Sequence, residues 1–245
     1  MRHLNHFLGK YDKYMIIPES LKVNYAGFKN KRFSNRFFGS VEAHRKLMLS
    51  AAFYESFKKY KYILTYHLDS LVFSDQLLEW CGTDLDYIGA PWIYDENWPN
   101  AIPPDNIGKV GNSGFCLRKI SSCLKVINSS RYSIDPAKYS SNLLASKSAY
   151  QRFLNQFKKL LKYLKVFNNA RWEMSRYRRN DDIFWAHRAI HYYPEFKIAP
   201  LETTLRFAFE CAPRKCFELT NHILPFGCHA WQKYDRQFWE PYLLK

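Results

Sequence analysis

A carboxylate closes an apolar strand in "YHLDSLVF" at 66–73. The run Lys61-Tyr62-Ile63-Leu64-Thr65-Tyr66 is β-branched and aromatic, which predicts a strand, and Asp69 follows it after His67-Leu68. A charge there needs a partner, whether a cation, a backbone group in a turn, or water. In open α/β sheets ligands collect beyond the carboxyl ends of strands. A hard divalent cation often takes only one or two protein carboxylates, with phosphate oxygens and water completing its shell. Asp69 is therefore a candidate metal ligand, with a turn cap as the plain alternative.

Three other stretches carry reactive groups. "NDDIFW" at 180–185 sets Asp181 and Asp182 at the start of an apolar run, where carboxylates complement a helix N-terminus or work as an acid or base. "VGNSGFCLRK" at 110–119 places Asn112 between Gly111 and Gly114. Glycines there permit close backbone approach to a ligand, or mark a bulge in a strand. His229, between Cys228 and Ala230 in "PFGCHAW" at 225–231, reads as a core histidine or as a ligand.

These groups must be held by a folded domain, and the composition provides one. At 245 residues, 47% hydrophobic and 18% aromatic, the chain excludes disorder and suits a single domain over 1–245. Lys+Arg 37 against Asp+Glu 22 leaves +15, which favours acidic partners: nucleic acid, anionic lipid or a phosphorylated substrate. The six cysteines include no Cys-x-x-Cys and read as reduced thiols. No signal peptide is evident, and nowhere do about 18 apolar residues run together, so the expected location is cytoplasmic.

Apolar periodicity predicts alternating elements: a strand at Tyr14-Met15-Ile16-Ile17, a helix from Val41 to Tyr60, the strand ending at Tyr66, and a short helix capped by Ser74 and running through Trp80. A strand at 87–90, a loop from Trp92 to Lys109 and a strand within 110–119 follow. Gln151 to Asn168 predicts a basic amphipathic helix with Phe153, Leu154, Phe157, Leu160, Leu161 and Leu164 as its stripe, suited to packing on the core or lying on an anionic membrane. The alternation favours an α/β sheet.

Taken in order, "YHLDSLVF", "DYIGAPW" at 86–92, "VGNSGFCLRK", "NDDIFW" and "PFGCHAW", together with "RKLMLSAAFYESF" at 45–57, resemble the DUF5672 family from about Lys10 to Trp231. Its members look like GT-A-type glycosyltransferases. The resemblance implies a GT-A-like, Rossmann-related mixed sheet flanked by helices. It further implies a nucleotide-sugar donor, a hydroxyl acceptor on a glycan or lipid-linked glycan, and inversion of configuration; peripheral membrane contact is instead the expectation of the basic helix at 151–168. Asp69 and His229 would hold Mn²⁺, or Mg²⁺, against the diphosphate. His67, where the family often has Gln, adds a ligand or hydrogen-bonds a nearby loop. Asp182 would be the catalytic base, with Asp181 replacing a more usual Glu beside it. Gly111, Asn112, Gly114 and Trp92 would meet the sugar, and Arg45 and Arg118 the leaving group.

Two other readings stay open: a glycosyltransferase-like scaffold without catalysis, and a basic single-stranded nucleic-acid binder. Against the second, the basic residues are dispersed and no nucleic-acid motif is present; nucleic acid is not an expected partner. Family members typically begin with an apolar strand and helix, so this chain is expected to be N-terminally short. Tyr14-Met15-Ile16-Ile17 would then lie at an open sheet edge, with weak nucleotide binding and low activity.

Overall fold

The structure is a computed structural model that describes residues 1–102, 104–137, 156, 158 and 160–244. Its strands are β1 (Tyr14–Pro18), β2 (Lys29–Phe33), β3 (Tyr62–Tyr66), β4 (Leu71–Val72), β5 (Tyr87–Ile88), β6 (Phe115–Lys119), β7 (Ala208–Phe209) and β8 (Gly227–Cys228). They form a mixed α/β domain in which the strands are shared among three small sheets. β6 lies between β3 and β5, antiparallel to both. β8 lies between β4 and β7, antiparallel to the first and parallel to the second.

β1 pairs in parallel with β2, Tyr14 opposite Lys29 and Ile17 opposite Arg32. The pairing gives β1 a neighbour that the sequence did not announce, because Lys29-Asn30-Lys31-Arg32-Phe33 shows no apolar alternation. The predicted helix 41–60 is two helices, Val41–Met48 and Ala51–Ser56. Ser50 divides them, its Oγ accepting from the Phe53 N–H at 3.2 Å to start the second. Ser74 does not cap; its hydroxyl bonds Gln76, and the next helix runs Leu77–Gly82.

β6 organises the core because side chains alternate across it. Phe115 and Leu117 join a cluster with Val72, Phe207 and Phe226, while Cys116 joins Tyr54, Tyr87, Phe184 and Trp185 on the other face. Arg118 shares the Cys116 face and is 0% exposed, so a charge sits where the pattern calls for an apolar residue. All six cysteines are unpaired, and all but Cys81 are buried.

Of the predicted helix 151–168, residues 151–155, 157 and 159 lie outside the described residues. The helix continues through residue 163 and gives way to a short turn at Lys165–Phe167. The buried Asn168 amide stops it, donating to the carbonyls of Ile134 and Lys162 at 2.8 Å each. Leu160 and Leu164 of the stripe are exposed and do not pack on the core. No helix among the described residues is long and apolar enough to cross a membrane.

Candidate functional site

Asp69 stands in the turn between β3 and β4. The His67 N–H donates to the Gly114 carbonyl at 2.8 Å, and the His67 carbonyl accepts from the Ser70 N–H at 3.0 Å. Leu68, between the two polar residues, is 85% exposed. His229 directly follows β8, the strand paired with β4. Adjacent sheet ends thus carry these residues together, and the potential ligand atoms of His67, Asp69 and His229 all lie within 4.8 Å of one another. His229 Nε2 is 3.4 Å from Asp69 Oδ1, and its Nδ1 is 2.8 Å from Glu210 Oε1.

The electrostatics of the trio follow from crowding. Burial pulls the His229 imidazole down, but hydrogen bonding and attraction from Asp69 and Glu210 outweigh it and push it up to about 9. The His229 contact holds Asp69 below the usual carboxylate range. Burial, then repulsion from His229 and His44, pushes His67 down to about 4, leaving its ring neutral at pH 7 with a lone pair to donate. His67 makes no side-chain hydrogen bond to a described residue. Its ring packs edge-on between those of His44 and His229, at centroid distances of 5.3 Å. The loop hydrogen bond considered for His67 is therefore not made.

Residues 111–114 connect this trio to the acidic pair. Asn112 adopts a left-handed backbone, φ 78°, a conformation Asn tolerates. Its Oδ1 accepts from the Gly114 and Phe115 N–H groups at 2.7 and 2.9 Å, and its own N–H donates to Asp182 Oδ2 at 3.0 Å. Ser113 Oγ donates to Asp181 at 2.9 Å. Asp181 and Asp182 begin the helix Asp181–His187, as their sequence position suggests. Asp182 accepts a second N–H, from Ile183, at 2.8 Å. Burial, then repulsion from Asp181 and Glu210, pushes Asp182 up to about 7.

Several sequence-predicted substrate contacts take other roles. A Cβ on Gly111 would lie 1.8 Å from the Trp92 ring, and one on Gly114 would lie 2.1 Å from His229 Nε2. These glycines admit protein side chains in the places where sugar was expected. Trp92 itself is buried with Ile102, Ile183, Cys211, Ala230 and Tyr234. Arg118 is enclosed, its guanidinium donating to Asp181 at 2.7 Å and to the Tyr54 hydroxyl at 2.8 Å. A buried cation without such partners would be very unfavourable, so Arg118 does not reach a leaving group. Asp181 is committed to the same pair. Arg45 remains near the surface with its side chain 13% exposed, donating to the Arg178 carbonyl at 2.8 Å.

Sequence reading missed Glu210 and His44. Glu210 directly follows β7 as a carboxylate after an apolar strand, the same signal that marked Asp69, and could have been found by it. His44 lies in a helix among charged residues, where its spacing gives no hint that its Nε2 ends up buried without a partner.

Fold and site together define a mixed α/β domain whose sheet ends hold two imidazoles and a carboxylate beside a buried acidic pair. Residues 27–229 match the family described as "Protein of unknown function (DUF5672)", and the chain belongs to that family. No curated protein and no solved structure matches it.

Proposed function

We propose that the chain is a metal-dependent, GT-A-like glycosyltransferase that moves a sugar from a nucleotide-diphosphate donor to a hydroxyl of a glycan or lipid-linked acceptor, with inversion. The observation that carries this reading is the meeting of His67, Asp69 and His229 within 4.8 Å, tied to Asp182 through residues 112–114. The donor set fits a divalent cation that displaces the His229 Nε2 proton: Glu210 engages Nδ1, the arrangement that orients metal-binding histidines, and Nε2 faces Asp69. Imidazole favours Mn²⁺ over Mg²⁺.

A cation there would supply positive charge against the diphosphate as it leaves. Asp182 is suited to accept the acceptor's hydroxyl proton, because a carboxyl raised to about 7 gains and loses a proton near neutral pH. Its two backbone N–H contacts orient it. Asp181, paired with Arg118 at 2.7 Å, would act only by raising its neighbour. Arg45 is the remaining candidate among the two arginines for contact with phosphate.

Thermal shifts with UDP, GDP, CDP and dTDP sugars, with and without Mn²⁺, test the reading, since specific ligands raise apparent stability. One nucleotide should stabilise the chain in a Mn²⁺-dependent way. Asp182→Asn should keep that shift while turnover falls by about 10²-fold or more. Stabilisation by single-stranded oligonucleotide alone would replace this proposal with the nucleic-acid reading.

A further inference from the structure

We propose that His67 is a third protein ligand, so that the site selects a borderline transition-metal ion over Mg²⁺ or Ca²⁺ and holds it before any nucleotide arrives. The inference rests on reading the cluster as a metal site and deepens it by assigning ion class and order of binding.

Geometry supports three ligands rather than two. Ligand atoms each about 2.1 Å from one ion lie roughly 3–4 Å apart. His229 Nε2 and Asp69 Oδ1 are already 3.4 Å apart, and including His67 extends the set only to 4.8 Å, a distance that a side-chain rotation closes. The His67 backbone is anchored on both sides, to the Gly114 carbonyl and the Ser70 N–H. Its imidazole has no hydrogen-bonding partner among the described residues, although the ring is largely enclosed by His44 and His229. A polar ring held in that way, with its neighbours offering a carboxylate oxygen and a second imidazole nitrogen, has a lone pair available to an ion placed among the three.

Donor chemistry then sets selectivity. Mg²⁺ and Ca²⁺ favour oxygen ligands, and a Mg²⁺ site with one or two carboxylates relies on substrate phosphates to complete it. Two imidazoles and one carboxylate favour transition metals, with affinity rising from Mn²⁺ through Co²⁺ and falling again to Zn²⁺ only after Cu²⁺. Three protein ligands also leave open positions for substrate, so the ion need not wait for the diphosphate. His67→Gln exchanges one imidazole for a neutral amide and isolates that contribution.

The test uses the full chain, stripped of metal by chelator and free of nucleotide. Co²⁺ should bind at one equivalent with a visible absorption spectrum, Zn²⁺ should displace it, and Mg²⁺ should fail to do so at 100-fold higher concentration. His67→Gln should weaken Co²⁺ binding by about 10–100-fold, with its metal-free melting curve close to that of the unmodified protein. Should that variant fold poorly, spin-echo modulation on the unmodified protein loaded with Cu²⁺ should register two coordinated imidazoles. Cobalt binding that requires UDP, Mg²⁺ competing on equal terms, or one imidazole in the spin-echo spectrum would overturn the proposal while leaving the glycosyltransferase reading intact. Nucleotide-free cobalt binding through two imidazoles, with no affinity for any nucleoside diphosphate, would uphold it and remove that reading.

Discussion

Two polar clusters share the 111–114 loop and treat their charges in opposite ways. At one end Arg118 and Asp181 are almost wholly enclosed, their side chains 0% and 4% exposed, with Ser113 donating to Asp181 and Tyr54 accepting from Arg118, while Arg118 Nε has no partner among the described residues. At the other, Asp69 has a side chain 44% exposed, and the His67 ring has no hydrogen bond to a described residue. The first cluster directs its charges into the protein and so fixes the loop. The second leaves donor atoms facing one another. Rigidity and reactivity are thus separated over a few residues: a buried ion pair holds the backbone that positions a more open set of donor atoms.

Breaking the enclosed pair should have the largest effect. Arg118→Ala leaves Asp181 buried without its cation and is expected to cost about 3–5 kcal/mol in chemical denaturation. Replacing both members, Arg118→Met with Asp181→Leu, should recover most of that loss, because no charge is stranded.

The acidic pair also has a pH signature. Asp182, raised from 3.8 to about 7, keeps its proton when folded across a range in which the unfolded chain has lost it. Its contribution is therefore intact below 3.8 and declines as pH rises to about 7, by up to about 1.4 kcal/mol per pH unit. Denaturation curves between those pH values should show this slope, and Asp182→Asn should remove it; identical slopes would mean the carboxyl is ionised throughout.

Gly114→Ala sharpens the contrast at the junction. The added methyl meets His229 Nε2 at 2.1 Å, so a loss of about 1–3 kcal/mol is expected, together with weaker metal binding as the imidazole moves aside. The smallest change in stability should come from the open cluster. Asp69→Ala removes a carboxylate already well exposed to water and should alter unfolding free energy by about 1 kcal/mol or less, yet it should abolish metal binding in titration calorimetry. A large loss of stability there would show that the trio is a structural ion pair.

Much of the strand pattern was legible because it depends on short-range chemistry. β3 lies in the β-branched and aromatic run that predicts it, β6 falls within the strand expected at 110–119, and Asp181–Asp182 begin a helix as carboxylates at such a position should. β2 was illegible, since five mostly basic residues become a strand only when β1 supplies a hydrogen-bonding edge. The helix break at Ser50 is legible as a cap, but the apolar period runs across it and masks it.

The sequence by itself determined which chemistries were available: a histidine and a carboxylate after one strand, a carboxylate pair at a helix start, and a histidine after a late apolar segment. Tertiary structure alone decided which of them meet. It brought Glu210 and His44 to the trio, enclosed Arg118, and filled the spaces beside Gly111 and Gly114 with Trp92 and His229. The physical reason is that a side chain's chemistry is carried by its own residue, whereas its burial and partners are set by strand pairings between segments far apart in the chain, such as β4 with β8.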